Sequence, residues 1–234
     1  MIMDRNSNTY TFIYAAVMVI LVAAILASVA MALRPRQSRN IEIEKKQNIL
    51  ASVNISTTVD NTEEIYAEKI KTQYVVNSKG EMVEGADAFE IDLRREKAKS
   101  PEERLLPVFE CETESGLKYI FPLRGAGLWG PIWGFVSLND DMNTIYGANF
   151  DHQSETPGLG AEISTDWFQE EFKGKKLFDE SGRLVSITVT KVGQEAPEAH
   201  SVDGISGGTI TSKGLEQMLL EDLNSYQEFL MKKK

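Results

Sequence analysis

Glycines, small side chains and hydroxyl groups are concentrated in the segment DGISGGTITS, residues 203–212. Ser206, Gly207, Gly208 and Thr209 have small or absent side chains, so the backbone N–H groups there can approach a ligand closely. A helix that begins directly after such a loop presents free N–H groups and the positive end of its dipole, both of which favour an anion. The segment therefore predicts a phosphate site. Because it holds no Lys or Arg, a phosphodiester with one negative charge suits it better than a free nucleotide.

A plain connecting loop is the alternative interpretation of this segment, because Gly and Ser fill ordinary turns and hydroxyl residues precede many helices. Neither the Walker spacing nor the Rossmann glycine fingerprint is present in it. Thr211 and Ser212 are predicted to cap the helix that follows, which would leave Thr209 free for another task.

A second glycine-rich segment, HQSETPGLGA at residues 152–161, lies between two predicted strands. Its central Thr-Pro-Gly predicts a turn, because proline fixes φ and glycine accepts a positive φ. Leu159 would then stand on a stiff loop and could cover one face of a flat aromatic ring, and Glu155 is predicted to orient the loop. A plain turn is the alternative. The candidate binding residues here are Glu155, Thr156, Pro157, Gly158, Leu159 and Gly160.

Two smaller features complete the set of candidate binding residues. The segment GAGLWG, residues 125–130, contains Leu128 and Trp129. Trp129 either packs near a ligand or joins the core, since large aromatic side chains are usually mostly buried. Lys191 ends a predicted strand shortly before residue 203, and it is either a partner of the phosphate or an ordinary surface lysine.

The sequence SGGT at residues 206–209, followed by Ile-Thr-Ser, resembles the S-G-A-T flavinylation motif of the C and G subunits of the sodium-pumping NADH:quinone oxidoreductase and the Rnf complex. In that family the last threonine carries FMN through a phosphoester bond, which a separate flavin transferase adds. That position here is Thr209. Gly208 departs from the commonest form, which has alanine, and we expect the loop to tolerate this change between two small residues.

Further segments extend the resemblance over nearly the whole chain. Residues 155–160 match the E-T-P-G-L-G signature that lines the flavin in this family, and residues 125–130 resemble its G-x-G-L-W segment. The sequences LRP at residue 33, QNIL at residue 47 and VNSKGEMVEG at residues 76–85 are similar to the sodium-pump branch, the NqrC family, more than to its Rnf counterpart.

The resemblance implies a subunit of a bacterial inner-membrane complex that passes electrons from NADH to quinone and exports sodium. It implies an electron relay through covalently bound FMN, with no catalysis by this subunit alone, and partner subunits around the flavin. The alternatives are the G-type flavin subunit of the Rnf complex, a membrane-tethered module that binds a noncovalent ligand, and a structural subunit without flavin.

The remaining elements predict an α+β fold, with one amino-terminal transmembrane helix before a single mixed domain. A hairpin is predicted around residues 74–83, a solvated helical segment at residues 93–104, and a half-buried strand near residues 117–121. Further strands are predicted at residues 134–138, 144–150 and 183–190, the last as the clearest. A carboxyl-terminal helix buries one face, formed by Leu215, Met218, Leu219, Leu223, Tyr226 and Leu230.

Residues 11–33 contain no charged side chain, and about 23 helical residues span a bilayer core of about 30 Å. An uncleaved membrane anchor is favoured over a signal peptide, because Arg34, Pro35 and Arg36 follow the apolar run where a cleavage site would stand. The predicted organisation is a tail at residues 1–10, the anchor at 11–33, a helical and polar connector at 34–64 with its helix ending near residue 55, and the FMN domain at 65–234.

Two arguments disagree about the orientation of the anchor in the membrane. Positive residues that follow the anchor outnumber Arg5 before it, and the positive-inside rule would place the large domain in the cytoplasm. The family resemblance implies the periplasmic side, which is the orientation we predict. The cationic residues after the anchor are Arg34, Arg36, Arg39, Lys45 and Lys46.

Composition excludes several classes of function. The formal charge is −10, from 35 acidic and 25 basic residues, so the chain lacks the positive surface of a nucleic-acid binder. A single cysteine, Cys111, permits no intrachain disulfide. Two histidines, His152 and His200, do not form a metal-ligand pattern, and no hydrolytic triad stands out, so neither a metal site nor a catalytic residue is predicted.

Overall fold

The computed structural model describes residues 7–191, 194 and 196–234, so most of the predicted amino-terminal tail and Arg5 lie outside the described residues. Residues 1–45 and 46–234 form two separate units. The described α-helices are α1 (Asn8–Ala51), α2 (Thr62–Lys69), α3 (Leu93–Lys97), α4 (Asp166–Glu170), α5 (Thr209–Ser225) and α6 (Gln227–Lys233). The described strands are β1 (Ile70–Val76), β2 (Leu106–Thr113), β3 (Gly116–Ala126), β4 (Pro131–Leu138), β5 (Ile145–His152), β6 (Thr188–Thr190) and β7 (Ser201–Asp203).

Helix α1 contains a stretch long and apolar enough to cross a membrane, and the side chains of that stretch are not buried. The helix is 44 residues long and includes Pro35, so the predicted anchor and the predicted connector helix form one continuous element. It ends at Ala51, before the predicted end near residue 55. The division of the chain at residues 33/34 and 64/65 stays a prediction.

Strands β1 to β5 form one antiparallel sheet in which each strand pairs with the next along the chain. The predicted hairpin near residues 74–83 is confirmed, because Val83 N donates to Val75 O at 2.8 Å and Asn77 N to Glu81 O at 2.9 Å. The strands predicted at residues 134–138 and 144–150 correspond to β4 and β5, each somewhat longer than predicted.

The sheet is buried on both faces. Tyr119 and Phe121 of β3 belong to one hydrophobic core, while Ile120 between them belongs to a second core that includes Ile49 and Val53. The strand predicted at residues 117–121 is thus present as part of β3, but its predicted half-buried character was wrong, since alternation in this strand separates two cores and not a core from solvent. Cys111 lies in the second core, and burial raises the pKa of its thiol to about 11.

The carboxyl-terminal apolar face is confirmed, and all six predicted residues are buried. The segment forms two helices, α5 and α6, with the break at Tyr226. The Tyr226 ring packs edge-on against Phe121 at a centroid distance of 4.9 Å, and its hydroxyl donates to Pro107 O at 2.8 Å. This side chain therefore joins the helical layer to β2 and β3.

Tyr226→Phe is expected to lower the free energy of unfolding by about 1 kcal/mol, because a buried hydrogen bond is lost while the ring packing remains. Urea unfolding of the detergent-solubilised chain measures this difference. Tyr66→Phe is the matched control, since its hydroxyl bonds to Gln73 at 3.1 Å in an exposed position. Equal stability of the Tyr226 variant and the parent would contradict the role given to this hydroxyl.

The strand predicted at residues 183–190 was wrong for most of its length, because only Thr188–Thr190 forms a strand, and Leu184 makes an isolated β-bridge with Phe178. Ser186 has a positive φ of 59°, and both Val185 N and Ser186 N donate to the single carbonyl of Leu177. That local reversal interrupts the alternating pattern. Strand β6 pairs in parallel with β7, which aligns Thr190 with Asp203.

The segment predicted as solvated at residues 93–104 contains α3 and a 3₁₀ turn, Pro101–Glu103. One of its residues is not solvated: Glu96 is buried, accepts Leu105 N at 2.9 Å and pairs with Lys99 at 2.8 Å. Nearby, Lys97 of α3 pairs with Asp222 of α5 at 2.7 Å, and burial raises the pKa of Asp222. Polar contacts thus tie this segment to the sheet and to α5.

Candidate functional site

The loop before α5 is shaped by its glycines. Gly207 has a φ of 74°, and a Cβ there would lie 2.6 Å from Leu159 Cδ2, so glycine is needed both for its conformation and for the close approach of a second loop. Gly208 is buried, and a Cβ there would lie 2.9 Å from Ile205 Cγ2 and 3.2 Å from Leu159 O. In this chain the alanine of the family motif would be crowded, so glycine at position 208 fits the packing of Ile205.

Helix α5 begins at Thr209, with Gly208 as the N-cap residue and no side-chain cap. The prediction that Thr211 and Ser212 cap the helix was wrong, because both are buried inside its first turn. Ser212 Oγ accepts a hydrogen bond from Ile205 N at 3.4 Å. The Thr211 hydroxyl donates to Glu155 Oε2. Thr209 is exposed, and within the described ranges its hydroxyl makes no hydrogen bond. The Thr209 hydroxyl is therefore left free of hydrogen bonds within the described part of the chain, as expected, although Thr211 and Ser212 do not cap the helix.

Glu155 connects three loops. It is buried, at 5% exposure, and its Oε1 accepts Trp129 N at 2.8 Å while its Oε2 accepts the Thr211 hydroxyl at 2.5 Å. Its own N–H donates to His152 Nδ1 at 3.2 Å. A Cβ on Gly127 would lie 2.5 Å from Glu155 Oε1, so that glycine admits the carboxylate. These contacts are those of a residue that orients the loops, and both carboxylate oxygens are occupied.

The turn predicted at residues 156–158 is present. Leu159 N donates to Thr156 O at 3.1 Å, Gly158 has a φ of 74°, and Gly158 N donates to Glu162 Oε1 at 3.1 Å. Thr156, Pro157 and Gly158 are exposed, whereas Gly160 is buried beside Glu155 and Thr211. The turn thus presents Leu159 toward Gly207 of the loop before α5.

A groove of about 200 Å³ runs beside the Thr209 hydroxyl. The end of β6, the loop before α5 and the first turns of α5 line it, and it contains Lys191 and Lys213. Among the described residues that line this groove, none is acidic. The groove therefore holds two ammonium groups near the helix terminus, where an anion is already favoured, and the Glu216 carboxylate, 3.0 Å from Lys213 Nζ, balances part of that charge.

Four apolar side chains on these segments are exposed. Trp129 is 66% exposed, so its interpretation as a core residue was wrong, and Trp133 is half-buried. Leu128, Leu159 and Ile210 are 47%, 41% and 60% exposed. Scattered exposed apolar residues are ordinary, but three segments joined through Glu155 and Gly207 carry these four next to Thr209. The arrangement supplies apolar surface beside a positive groove.

Two of the residues brought to this site were missing from the sequence prediction, Lys213 and Ile210. Lys213 follows Thr209 by four residues, and residues at that spacing lie on the same face of a helix. The predicted helix after residue 208 could have identified it. Ile210 was overlooked because its neighbours form a polar segment.

FMN attached as the resemblance implies, through a phosphoester, would need a hydroxyl for its phosphate, positive surroundings for the phosphate charge and apolar surface for its ring. The residues present fit these needs. The exposed Thr209 hydroxyl lies at the start of α5, Lys191 and Lys213 line the adjoining groove, and exposed apolar side chains stand on the neighbouring loops.

The chain is similar to several known proteins. The family model described as "FMN-binding domain" matches residues 127–224. The NqrC protein of the Na(+)-translocating NADH-quinone reductase of Haemophilus ducreyi is 33% identical over 91% of this chain and 88% of its own length. The corresponding protein of Pseudomonas aeruginosa is 32% identical over 92% of this chain and 91% of its own length.

The chain is also similar to solved structures. NqrC from Parabacteroides distasonis has a TM-score of 0.79 and 48% identity, and the match covers 85% of this chain and 96% of that one. NqrC from Shewanella oneidensis has a TM-score of 0.69 and 26% identity, over 82% and 97%. The predicted α+β architecture, an apolar amino-terminal helix followed by a mixed FMN-binding domain, is confirmed.

Proposed function

The chain belongs to the NqrC family of the Na(+)-translocating NADH-quinone reductase, and from this membership we propose that it relays electrons through FMN joined to Thr209 by a phosphoester. The observation that carries the proposal is the exposed hydroxyl of Thr209 at the first residue of α5, without a hydrogen bond to the described part of the chain. The hydroxyl lies beside a groove that contains two lysines, and none of the described residues that line this groove is acidic. A noncovalent binding module has no need of that hydroxyl.

Three features of the chain support binding of the phosphate. The amino-terminal N–H groups and dipole of α5 favour a negative charge on Thr209. Lys191 and Lys213 add positive charge, and Gly207 has no side chain of its own to cover its backbone N–H. A modest positive potential suits a phosphodiester, which carries one negative charge.

The chain's apolar residues support binding of the ring. Leu159 and Ile210 flank the loop that carries Thr209, while Leu128 and Trp129 stand on the loop held by Glu155. These side chains would limit the access of water to the flavin, and FMN itself supplies the redox chemistry. The protein's task is to fix the position of the cofactor and its electrostatic surroundings.

We further propose that this subunit relays electrons between cofactors of partner subunits and performs no catalysis alone. The four exposed apolar side chains beside Thr209 suit a site that is covered in an assembly. The complex would be the sodium-exporting NADH:quinone oxidoreductase for which its relatives are named, and a separate flavin transferase would attach the FMN.

The proposed location is the bacterial inner membrane, with α1 as a single-pass anchor and the FMN domain in the periplasm. Charge around the anchor argues for the opposite orientation, because Arg34, Arg36 and Arg39 follow it. Family membership argues for the periplasm, where the transferase works, and we give it the greater weight.

The proposal is tested by co-expressing the full chain with a flavin transferase in a bacterial membrane host and recovering the chain under denaturing conditions. We expect flavin fluorescence in the denatured band and, after proteolysis, a flavin phosphate on the peptide that contains residues 203–213. A dark band, with the transferase verified on a second substrate, would reject the covalent carrier and leave the noncovalent module or the structural subunit. Fluorescent flavin on any other peptide would reject Thr209.

A further inference from the structure

Lys213 occupies a defined place relative to Thr209. Both residues lie in α5, four positions apart, which places them on one face of the helix with an axial separation of about 6 Å. Both also line the groove beside the loop at residues 204–207. The ammonium group is therefore within reach of a substituent on the Thr209 hydroxyl.

Glu216 fixes the direction of the Lys213 side chain. Lys213 Nζ lies 3.1 Å from Glu216 Oε1 and 3.0 Å from Oε2, while Glu216 Oε2 also accepts Val189 N of β6 at 2.6 Å. The carboxylate is thus tied to the strand that forms the opposite wall of the groove. Glu216 is 26% exposed and Lys213 is 49% exposed, so the pair lies at the edge of the groove and not in open solvent.

Lys191, the other lysine of the groove, is held differently. It directly follows the last residue of β6 and is exposed, and the described contacts include no ion pair that would direct its side chain. A lysine that is already oriented loses less conformational entropy when it meets an anion. Of the two ammonium groups, Lys213 is the one prepared for a fixed position.

We propose that Lys213 is the counter-charge of the phosphodiester on Thr209, with Glu216 as the residue that positions it. This inference rests on the proposed function, since it requires the ester. When the ester is present, the ammonium group lies between two anions, the Glu216 carboxylate and the phosphodiester. The assignment adds a phosphate-binding residue that the motif at residues 206–209 does not contain.

The test is the ³¹P NMR chemical shift of the phosphodiester in the flavinylated full chain, recorded at neutral pH in a phosphate-free detergent. Lys213→Gln should move the resonance, because it removes the counter-charge beside the phosphate. Lys213→Arg should leave the resonance close to its position in the parent chain, because arginine keeps a positive charge there. Circular dichroism of each variant confirms that the fold persists.

Two further variants make the result decisive. Glu216→Gln should move the resonance part of the way, because the lysine loses the carboxylate that directs its side chain along the groove. Lys191→Gln should leave the resonance in place. A shift in Lys191→Gln as large as that of Lys213→Gln, or an unmoved resonance in Lys213→Gln, would overturn the assignment while the ester remains visible.

A second measurement is kinetic. At limiting transferase, Lys213→Gln should slow the appearance of covalent flavin about fivefold, as expected for the loss of one partly exposed charge contact. An unchanged rate together with an unmoved phosphodiester resonance would reject the role of Lys213 alone. Absence of any phosphodiester resonance in the parent chain would instead reject the ester on Thr209.

Discussion

Thr209→Ala is expected to eliminate covalently bound flavin from the denatured chain. The variant removes the hydroxyl and one methyl group from an exposed side chain, and alanine fits the first turn of α5 without loss of a side-chain cap. The chain should therefore fold as before and lose its covalent cofactor completely, from full occupancy to background. In-gel flavin fluorescence after co-expression with a transferase measures the difference.

Two matched variants separate the chemistry of Thr209 from disturbance of its loop. Ser206→Ala removes an exposed hydroxyl three residues earlier, and it should keep the flavin. Thr209→Ser keeps a hydroxyl at the same helical position, and it should retain covalent flavin, although at lower occupancy. Fluorescence that persists in Thr209→Ala would show that another residue carries the ester, and loss in Ser206→Ala would show that the loop as a whole is sensitive.

Glu155→Ala should lower the free energy of unfolding by about 3 kcal/mol, because it leaves buried donors without acceptors and opens space among three loops. The donors are Trp129 N and the Thr211 hydroxyl, and Thr211 is 2% exposed. Urea unfolding of the full chain in detergent measures the loss. Covalent flavinylation should fall as well, since the loops beside Thr209 lose their common support.

Glu155→Gln is the control for this prediction. Its amide oxygen can accept Trp129 N while its amide nitrogen donates to the Thr211 oxygen, so both contacts persist without a charge. We expect a loss below about 1 kcal/mol and nearly normal flavinylation. If the alanine variant matched the parent in stability, Glu155 would not support the three loops. If the glutamine variant were as unstable as alanine, the negative charge and not the connectivity would matter.

Local patterns predicted the elements whose signals are contained in short segments. The hairpin near residues 74–83 follows from turn residues between β-formers, and the face of α5 and α6 follows from its helical period. The prediction of a strand at residues 183–190 failed because the period of the apolar residues does not reveal the sign of φ at each residue. Ser186 takes a positive φ, which no alternation of apolar residues reveals.

The same holds for the site: features set by short segments could be predicted, and features set by contacts between distant segments could not. The glycine loop and the turn at residues 156–158 are local, and both are present. Lys213 could have been found from its spacing to Thr209, but its orientation depends on Glu216, which accepts Val189 N of a distant strand. The interpretation of Trp129 as a core residue failed because size predicts burial only on average, whereas here Glu155 holds its backbone at the surface.

The order in which contacts form during folding follows from the sheet described above. Strands β2 to β5 of the five-stranded sheet pair with their neighbours in the chain across short connections, so these hairpins can assemble early. The hydrogen bond from Thr211 to Glu155 joins residues 56 positions apart, and that from Tyr226 to Pro107 spans 119. The surroundings of Thr209 are thus among the last parts of the chain to be completed. A transferase that recognises the assembled loops would load the cofactor only onto chains that have finished folding, so attachment would also act as a quality check.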